Sequence, residues 1–271
     1  MATNRDVKEL LLAYLKELHL PTMRASYEEL ARQAQQEGSS YEQYLLGLVQ
    51  RECQERRNKR VARWLHDSRL PLEKSWQTLD LKRLPAKVVQ QARTLLEGSF
   101  VARHENVLVF GQPGSGKTHL LCALGQELVR SGQRLLFTKC GLLVQQLLLA
   151  KRDLKLSRVL KQLAGYPVLI IDDLGYVQQS REEMEVLFTL LAERYERGSV
   201  LLTSNLPFSG WEAIFKDPMT TAAAIDRLVH HSVILELNVP SYRAEQAKKA
   251  KQGRGEASEP PSSSSPGKPQ G

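Results

Sequence analysis

Cysteine is scarce in this sequence, and the few cysteines lie far apart. The chain has 271 residues and three cysteines, Cys53, Cys122 and Cys140, without histidines arranged around them as metal ligands. This count and spacing exclude a scaffold held together by disulfide bonds. Isolated thiols are typical of a protein that stays in a reducing compartment, so we expect a cytoplasmic location.

Long apolar runs are also missing. The N-terminal residues lack the apolar core of a signal peptide. The longest apolar stretch runs from Leu142 to Ala150 and is interrupted by Gln145 and Gln146. A helix that crosses a bilayer needs about 20 apolar residues, so we expect no transmembrane segment and no membrane partner.

What is present is the composition of a folded globular protein. Hydrophobic residues make up 42% of the chain and charged residues 25%, which excludes a wholly disordered protein. At roughly 150 residues per domain, the length predicts one large domain and a smaller one. The 38 Lys and Arg residues outnumber the 30 Asp and Glu residues, giving a net charge of +8. This excess favours a polyanionic partner such as nucleic acid; the alternative is that it serves solubility alone.

Residues 1–68 carry three helical patterns and are predicted to form a small N-terminal domain. Apolar residues recur at helical spacing from Val7 to Leu18, a pattern that Pro21 should end, and a second pattern follows. Ser40 with Gln43 is the signature of a capping box that begins the third helix. Because that helix is strongly basic, we expect this domain to bind DNA or a partner protein. Its candidate DNA contacts are Arg56, Arg57, Lys59 and Arg60. The alternative is a solvated face whose charges pair within the helix.

The rest of the chain predicts an α/β domain. Residues 69–98 are expected to be a linker around Pro71 and a helix after Pro85 that leads into the core. Over residues 99–245, short apolar runs alternate with helical patterns, which predicts a mostly parallel five-stranded sheet covered by helices. The predicted strands are Asn106–Phe110, Arg134–Thr138, Val168–Asp172, Ser199–Ser204 and Ser232–Leu237. Residues 246–271, rich in serine and proline, are predicted to be a disordered tail.

A complete phosphate-binding motif, Gly-x-x-x-x-Gly-Lys-Thr, lies between the first predicted strand and the helix that follows it. Its glycines let backbone amides turn towards anionic oxygens, and the start of the helix adds a positive partial charge. Lys117 is expected to reach the β- and γ-phosphates of ATP, and Thr118 to offer its hydroxyl to Mg²⁺. A chance glycine-rich turn is the alternative, but the motif has the strand-and-helix context that it requires. The predicted ATP-binding residues here are Gly111, Pro113, Gly114, Ser115, Gly116, Lys117, Thr118 and His119.

Two acidic residues, Asp172 and Asp173, end the third predicted strand, at the edge of a parallel sheet where ligands bind. We expect Asp172 to hold Mg²⁺ together with Thr118, and Asp173 to orient or deprotonate the attacking water. Asn205 follows the fourth strand and is a candidate for contacting the γ-phosphate or that water. The alternatives are an Asp pair in a turn and, for Asn205, a turn residue before Pro207.

Several segments together resemble a known family, the IstB transposition helpers. These are AAA+ ATPases encoded beside the transposase of certain bacterial insertion sequences, and they are similar to the DnaC helicase loaders. The resembling segments include Gly-Gln-Pro-Gly-Ser-Gly-Lys-Thr-His-Leu, Leu-Ile-Ile-Asp-Asp-Leu-Gly-Tyr, Leu-Thr-Ser-Asn-Leu-Pro-Phe and Asp-Arg-Leu-Val-His-His. The resemblance covers about residues 8–245. It implies a P-loop AAA+ core, assembly of a homo-oligomer on duplex DNA with ATP, slow DNA-stimulated ATP hydrolysis, and stimulation and targeting of a cognate transposase.

The resemblance also implies roles for residues outside the phosphate motif. Such ATPases place the nucleotide between subunits, and Arg227 matches the arginine that a neighbour donates; the alternative is a salt bridge with Asp226. Arg243 matches a nucleotide-sensing position, although too little sequence follows it for a full C-terminal lid domain. In related initiators and loaders, the segment between the second and third strands touches the nucleic-acid backbone. Its candidate contacts are Lys155, Arg158 and Lys161.

Other functions fit parts of the same pattern. A replicative helicase loader shares the core and differs in its partner. A small-molecule kinase would need an acceptor pocket and a lid, for which no motif is evident, and a scaffold with an inactive ATP site would tolerate loss of Lys117 and Asp172. His230 and His231 are adjacent and no third ligand is evident near them, so we expect no metal site there.

Overall fold

The computed structural model describes residues 4–175, 180–212, 218–242 and 245. Contacts divide the chain into two units, Met1–Asp67 and Ser68–Gly271. The predicted domain boundaries, and the function predicted for each domain, stay predictions. Arg243 and the predicted tail lie outside the described residues. Within the described ranges, no helix has both the length and the apolar character that a membrane crossing requires.

The described part of the N-terminal unit is helical. Its helices are α1 (Asn4–Glu17), α2 (Pro21–Glu37) and α3 (Tyr41–Asp67). We expected Pro21 to end the first helix. Pro21 lies after the end of α1 and is the first residue of α2, a position where the fixed φ and missing N–H of proline are favourable. The predicted capping box is present, because the amide of Ser40 donates to Oε1 of Gln43 (2.8 Å) and the amide of Gln43 donates to Oγ of Ser40 (3.3 Å).

A buried carboxylate ties α3 to the start of α2. Glu52 is only 3% exposed and accepts hydrogen bonds from the amides of Thr22 (2.8 Å) and Met23 (3.1 Å) and from Nε of Arg56 (2.8 Å). It therefore caps a helix whose own N-cap residue makes no side-chain bond. Burial by itself would raise the pKa of Glu52, but the hydrogen bonds from Arg56 and the two amides outweigh burial and lower the pKa below its usual value.

The second unit is built on a five-stranded parallel sheet. Its strands are β1 (Asn106–Gly111), β2 (Leu135–Lys139), β3 (Val168–Leu174), β4 (Ser199–Ser204) and β5 (Ser232–Leu237). The strand order is β2–β3–β4–β1–β5, and every pairing is parallel. The predicted fold class is confirmed. The largest difference from the predicted strand ends is in β3, which continues through both aspartates to Leu174.

Helices pack on both faces of the sheet. They are α4 (Ala86–Leu96), α5 (Ser99–Ala102), α6 (Lys117–Arg130), α7 (Cys140–Arg152), α8 (Leu156–Ala164), α9 (Arg181–Arg194) and α10 (Pro218–Val229), with short 3-10 turns at Leu81–Arg83 and Phe208–Gly210. Alternate strand residues face different helices, as a pleated strand requires. Leu169 and Ile171 lie in one apolar cluster with residues of α7 and α9, whereas Ile170 lies against Gly125 of α6.

The segment before α4, which we expected to be a linker, packs into the second unit. Leu70 is 6% exposed, and Nε2 of Gln126 in α6 donates to the carbonyl oxygens of Leu72 (3.2 Å) and Lys74 (3.0 Å). These contacts hold the segment against the helix that follows the phosphate motif. An irregular, polar segment has no periodic pattern from which its burial could be recognised in the sequence.

Candidate nucleotide-binding site

The phosphate motif forms a loop between the end of β1 and the first residue of α6. Two of its glycines have left-handed backbone conformations, with φ of +81° at Gly114 and +99° at Gly116. Gly114 is also crowded, because a Cβ atom there would lie 2.2 Å from Oγ of Ser241. The loop thus combines a tight turn with a helix N-terminus, which together make an anion-binding site.

Lys117 is the first residue of α6 and is 7% exposed. Its Nζ donates to the carbonyl oxygens of Gly111 (2.8 Å) and Gln112 (3.1 Å), so the ammonium group lies against the loop to which it belongs. From this position the side chain can supply the positive charge that phosphate groups require.

A hydrogen-bonded group of side chains joins α6 to β3 and β4 beside this loop. Oγ1 of Thr118 donates to Asp172, at 2.8 Å from Oδ1 and 3.1 Å from Oδ2. Oγ1 of Thr203, a residue that the sequence did not single out, donates to Oδ1 of the same carboxylate at 2.7 Å. Asp172 is 2% exposed and Thr203 fully buried, so the carboxylate is held from two sides.

Asp173 has an unusual backbone, with φ of +64°. The pairing of β3 with β4 shifts register between Ile171 and Leu174, and this irregularity places the amide of Asp173 2.8 Å from Oγ1 of Thr203, which accepts its hydrogen. The hydroxyl of Thr203 therefore bonds both aspartates, one through its side chain and the other through its backbone. The Asp173 side chain is exposed, in contrast to that of Asp172.

A cleft of about 720 Å³ lies over the loop and brings most of the predicted site together. The predicted residues that line it are Pro113, Gly114, Ser115, Gly116, Lys117, Thr118, His119, Asp172, Asp173 and Asn205. Gly111 takes part through its carbonyl bond with Lys117. The volume lies in the range of small-molecule and cofactor pockets, and the lining combines cations, oxygen ligands and an amide.

A second wall of the cleft comes from a segment that sequence reasoning missed. Residues between Pro71 and Leu84 line it, together with Phe137, Lys139 and Tyr242. His119 connects the two walls, since its Nε2 lies 3.1 Å from Oγ1 of Thr78 and 3.1 Å from the carbonyl oxygen of Ser75. No local signal could have identified this wall, because the segment lies some thirty residues before the motif in an irregular conformation.

The chain that follows β5 reaches the phosphate loop. The amide of Tyr242 donates to the carbonyl oxygen of Gly114 (3.0 Å). The Arg83 guanidinium donates to the carbonyl oxygen of Pro240 (3.2 Å) and lies 5.0 Å from the Tyr242 ring centre. The wall around Arg83 and the segment after β5 are thereby joined beside the loop.

The side chains at the centre of the site fit a divalent cation with oxygen ligands. Thr118 offers a hydroxyl and Asp172 a carboxylate, and the two are already within hydrogen-bonding distance. Mg²⁺ prefers such oxygen donors and is usually held by one or two protein groups and by phosphate oxygens. The residues that would hold it are those predicted from the sequence.

Arg227 does not line this cleft. Its guanidinium lies 4.8 Å from the Phe188 ring centre and donates to the carbonyl oxygen of Ala223 at 3.0 Å. Its backbone lies next to Asn106, the first residue of β1, whose Nδ2 is 3.5 Å from the Arg227 carbonyl oxygen. With a rise of about 3.3 Å per residue, the opposite end of β1 at Gly111 is about 17 Å away. Arg227 and the phosphate loop thus lie at opposite ends of the same strand.

The candidate DNA contacts differ in how far they are engaged in other bonds. Arg56 bonds Glu52 and the carbonyl oxygen of His19, while about half of its side chain (53%) remains exposed. Lys59 lies 3.5 Å from Glu55, and Lys155 lies 3.2 Å from Asp153, both as exposed pairs. The remaining candidates are exposed on the surface: Arg57, Arg60, Arg158 and Lys161.

The two adjacent histidines have a third group beside them. Ligand atoms of His230, His231 and Glu196 lie within 4.8 Å of one another, and all three residues are exposed. Nδ1 of His230 is 2.8 Å from the Tyr195 hydroxyl. The expectation that no third ligand is near was therefore wrong, since Glu196 lies in the turn before β4, far from the histidines in sequence. Exposed groups of this kind are common without a metal.

Known proteins with similar sequences are described as ATP-binding proteins of insertion sequences. A family model for IstB-like ATP binding proteins matches residues 13–250. An insertion sequence ATP-binding protein of Sinorhizobium fredii is 40% identical over 242 residues, which cover 89% of this chain and 81% of that protein.

Solved structures share the fold of the second unit. DnaI is 24% identical, with a TM-score of 0.52 over 62% of this chain and 94% of its own. The replication initiator DnaA bound to AMPPCP and single-stranded DNA is 15% identical, with a TM-score of 0.54 over 68% of this chain and 56% of its own. The core is a P-loop AAA+ fold, as predicted, and the chain belongs to the family of IstB-like ATP binding proteins.

Proposed function

We propose that this protein is a cytoplasmic, ATP-dependent transposition helper. It binds ATP with Mg²⁺, assembles into a homo-oligomer on duplex DNA, hydrolyses ATP, and stimulates and directs the transposase of its insertion sequence. The observation that carries the proposal is the 2.8 Å contact between Thr118 of the phosphate loop and Asp172 of β3. This contact brings the phosphate-binding and metal-binding halves of an ATPase site to one edge of the sheet.

ATP binding follows from the charges and amides of the cleft. The loop amides and Lys117 face the triphosphate, and Thr118 and Asp172 hold the metal. When bound, Mg²⁺ neutralises and orients the phosphate oxygens. The walls of the cleft around Arg83 and Tyr242 enclose the rest of the nucleotide.

Hydrolysis falls to the residues at the ends of β3 and β4. Water attacks the γ-phosphorus while the bond to the β-phosphate oxygen breaks, and Asp173 accepts the proton that the water loses. Asn205, half-buried in the same cleft, orients the water. Hydrolysis is slow in an isolated subunit because the γ-phosphate charge that develops is not fully compensated there.

Arg227 completes the site of a neighbouring subunit. It cannot serve its own cleft, since it lies beside Asn106 at the far end of β1. A head-to-tail arrangement of subunits would bring one copy's Arg227 to the next copy's cleft. A guanidinium that is always charged suits the stabilisation of phosphoryl-transfer charge. Because DNA promotes assembly, it also stimulates hydrolysis.

The proposal that DNA and a transposase are the partners is supported by the charge of the chain and by its relatives. The net charge of +8 favours a polyanion such as DNA. The insertion sequence relative of Sinorhizobium fredii, at 40% identity, supports a role in transposition. A replicative helicase loader is the second candidate, but DnaI at 24% identity supports a common fold only.

The shared site is tested by mixing two inactive variants. Arg227→Ala keeps its own cleft intact but cannot supply the arginine to a neighbouring subunit. Asp173→Asn has a defective cleft but can still supply Arg227 to its neighbour. Each variant alone should bind ATP and fail to hydrolyse it on duplex DNA, and the mixture should partly recover hydrolysis. The matched control is Arg197→Ala, which removes an arginine exposed on the surface and paired at 3.4 Å with Glu193. It should hydrolyse ATP like the wild type.

Two results would contradict these assignments. A mixture that stays inactive, although both variants bind ATP and assemble, would exclude a shared site with Arg227. A wild-type protein that stays monomeric with ATP and duplex DNA would exclude the oligomer. The transposase role is tested by strand transfer with the transposase encoded beside this protein, and the Lys117→Ala variant should lose the stimulation. Pull-down by a hexameric helicase instead of the transposase would favour the loader.

A further inference from the structure

Two turns lie together at the edge of the sheet where the strands begin, opposite the nucleotide cleft. One turn is residues 195–198, between α9 and β4, and the other is His230 and His231, between α10 and β5. Both β4 and β5 pair in parallel with β1, one on each side of it. Because parallel strands begin at the same edge of a sheet, the two turns flank the first residue of β1.

Hydrogen bonds hold the backbone of both turns. Asn106, the first residue of β1, is buried; its amide donates to the carbonyl oxygen of His231 (2.7 Å), and its Oδ1 accepts the amide of Val200 in β4 (2.8 Å). The turn before β4 is closed by the amide of Gly198, which donates to the carbonyl oxygen of Arg194 (3.1 Å). Side chains on the two turns therefore extend from backbone whose position is defined.

Glu196, His230 and His231 each bring one metal-binding atom to this place, and these atoms lie within 4.8 Å of one another. Adjacent residues of a regular helix or strand point in different directions, but both histidines lie in a turn, and their ring centres are 4.1 Å apart. Two ligand atoms of one zinc ion, each bonded at about 2.0–2.1 Å, lie at most about 4.2 Å apart. Because all three side chains are exposed, small rotations about their side-chain bonds bring the atoms within that limit.

A neighbouring tyrosine orients one of the two rings. The hydroxyl of Tyr195 lies 2.8 Å from Nδ1 of His230, and the two rings stack with an angle of 28° between their planes. When Nδ1 donates its hydrogen to the hydroxyl oxygen, the lone pair of the imidazole is on Nε2, where a metal ion can bind. Histidines that bind metals usually have such a hydrogen-bond partner at their second nitrogen. Tyr195 can therefore hold His230 in the tautomer that binds a metal.

The two arginines nearest to the cluster in sequence are engaged with other groups. The guanidinium of Arg227 lies 4.8 Å from the ring centre of Phe188. Arg197 is paired at 3.4 Å with Glu193, which lies four residues earlier along the chain. A cation bound at the cluster would thus meet one carboxylate and two imidazoles, while both guanidinium groups contact partners outside it.

We propose that Glu196, His230 and His231 bind a zinc ion, at a site separate from the Mg²⁺ site of the cleft. Two imidazoles and a carboxylate are a ligand set that Zn²⁺ accepts, with water in the remaining position, whereas Mg²⁺ prefers oxygen ligands. The ion joins the turn before β4 to the turn before β5. It also holds the end of the helix that carries Arg227, since His230 follows that arginine by three residues. This site goes beyond the proposed function and does not depend on it, because neither ATP nor DNA takes part.

The test measures Zn²⁺ binding to the full chain, purified without a histidine tag and without nucleotide, in excess Mg²⁺. Calorimetric titration should show a single Zn²⁺ bound per chain, and Zn²⁺ should raise the unfolding temperature because it binds the folded state. Co²⁺ in place of Zn²⁺ should give the visible absorption of a cobalt ion with few ligands. Glu196→Gln, His230→Ala and His231→Ala should each weaken Zn²⁺ binding about 100-fold or more, and Tyr195→Phe, which removes only a partner of a ligand, about tenfold.

Matched controls remove similar groups at other places. His66→Ala removes a histidine that is also exposed and lies 3.4 Å from a carboxylate, that of Asp67, and Cys53→Ser removes an exposed thiol. Asp172→Asn removes the carboxylate of the cleft. All three controls should bind Zn²⁺ like the wild type. Because the three proposed ligands are exposed, their variants should unfold at the wild-type temperature when Zn²⁺ is absent, which separates lost binding from lost folding.

Three results would overturn the zinc site. The first is a wild-type chain that shows no saturable binding of Zn²⁺. The second is Zn²⁺ binding that keeps its wild-type affinity in Glu196→Gln, His230→Ala and His231→Ala. The third is binding that is lost in Asp172→Asn but kept in those three variants, which would place the ion in the cleft. None of these results bears on ATP hydrolysis or DNA binding, so failure of the zinc site is distinguishable from failure of the proposed function.

Discussion

Replacing Thr203 with valine should impair hydrolysis much more than ATP binding. The hydroxyl of Thr203 donates to Asp172 at 2.7 Å and accepts the amide of Asp173 at 2.8 Å. Valine keeps the branched shape and removes both bonds. Lys117 bonds the carbonyl oxygens of Gly111 and Gln112 in the phosphate loop, so the ATP affinity of the variant should stay close to that of the wild type.

The magnitude follows from the burial of these groups. Thr203 has no exposed surface, and Asp172 is 2% exposed. A hydrogen bond to a charged group contributes about 1.5–3 kcal/mol, and a buried N–H left without a partner costs about 1–3 kcal/mol. Since Thr118 still donates to Asp172, we expect the free energy of unfolding to fall by about 2–4 kcal/mol. Displacement of Asp173 by about 1 Å can reduce the rate of hydrolysis about 100-fold.

Thr203→Ser is the matched control. Serine keeps the hydroxyl and removes one methyl group, which should cost about 1 kcal/mol of unfolding free energy. Its rate of hydrolysis and its Mg²⁺ requirement should stay near those of the wild type. The assays are denaturant unfolding, binding of a fluorescent ATP analogue, and DNA-stimulated hydrolysis over a Mg²⁺ titration.

The Mg²⁺ titration distinguishes a positioning role from simple destabilisation. In Thr203→Val, the Mg²⁺ concentration for half-maximal activity should rise, because Asp172 has lost one of its two hydroxyl donors and its position is less defined. A variant that is destabilised but hydrolyses ATP with the wild-type rate and Mg²⁺ dependence would show that Thr203 serves folding alone, and the reasoning would be refuted.

Three further predictions concern single groups. Gly114→Ala should weaken ATP binding at least about tenfold, because an alanine is strained at φ +81° and its Cβ would clash, whereas Gly141→Ala, with open space around it, should not. Native protein at pH 8 should be alkylated at exposed Cys53 but not at Cys122, since burial raises the pKa of the Cys122 thiol to about 12. The contribution of the protonated thiol to the free energy of unfolding should be complete below pH 9 and be lost as the pH rises to about 12. In Cys122→Ala, the free energy of unfolding should therefore depend less on pH over this range. Glu52→Gln should lower the unfolding free energy by about 1–2 kcal/mol at neutral pH. Because the pKa of Glu52 is lowered in the folded state, the difference from the wild type should be present above pH 4.5 and shrink as the pH falls below it.

The parts of the site that the sequence predicted lie in regular elements or in a motif with a fixed geometry. The strand before Asp172 is a continuous apolar run, and its parallel neighbours bring Asn205 to the same edge. Lys117 and Thr118 follow from the motif, because a glycine-rich turn before a helix has one common use. These predictions needed no knowledge of which strands are neighbours.

The parts that the sequence did not predict depend on contacts between distant segments. Thr203 meets both aspartates only because β3 and β4 are adjacent and shift register between Ile171 and Leu174. The wall that contains Arg83 packs onto the loop through side-chain bonds to carbonyl oxygens, which leave no periodic signal. Arg56, a candidate DNA contact, pairs with Glu52 four residues earlier in α3, but its bond to the carbonyl oxygen of His19 joins segments that are distant in sequence.

Backbone strain occurs at two informative places in the second unit, and the surroundings of each decide what it means. Asp173 has φ of +64°, and its amide is bonded by Thr203 inside a site that explains its position. Leu154 has φ of +58°, and its amide and that of Lys155 make the two hydrogen bonds that end α7. Strain that the fold itself supports, as at Asp173, indicates a preorganised group for chemistry within the subunit. At Leu154, as at His104, which has φ of +55° and ends α5 with the same pair of bonds, the left-handed residue satisfies the last carbonyl groups of a helix and indicates capping, not chemistry.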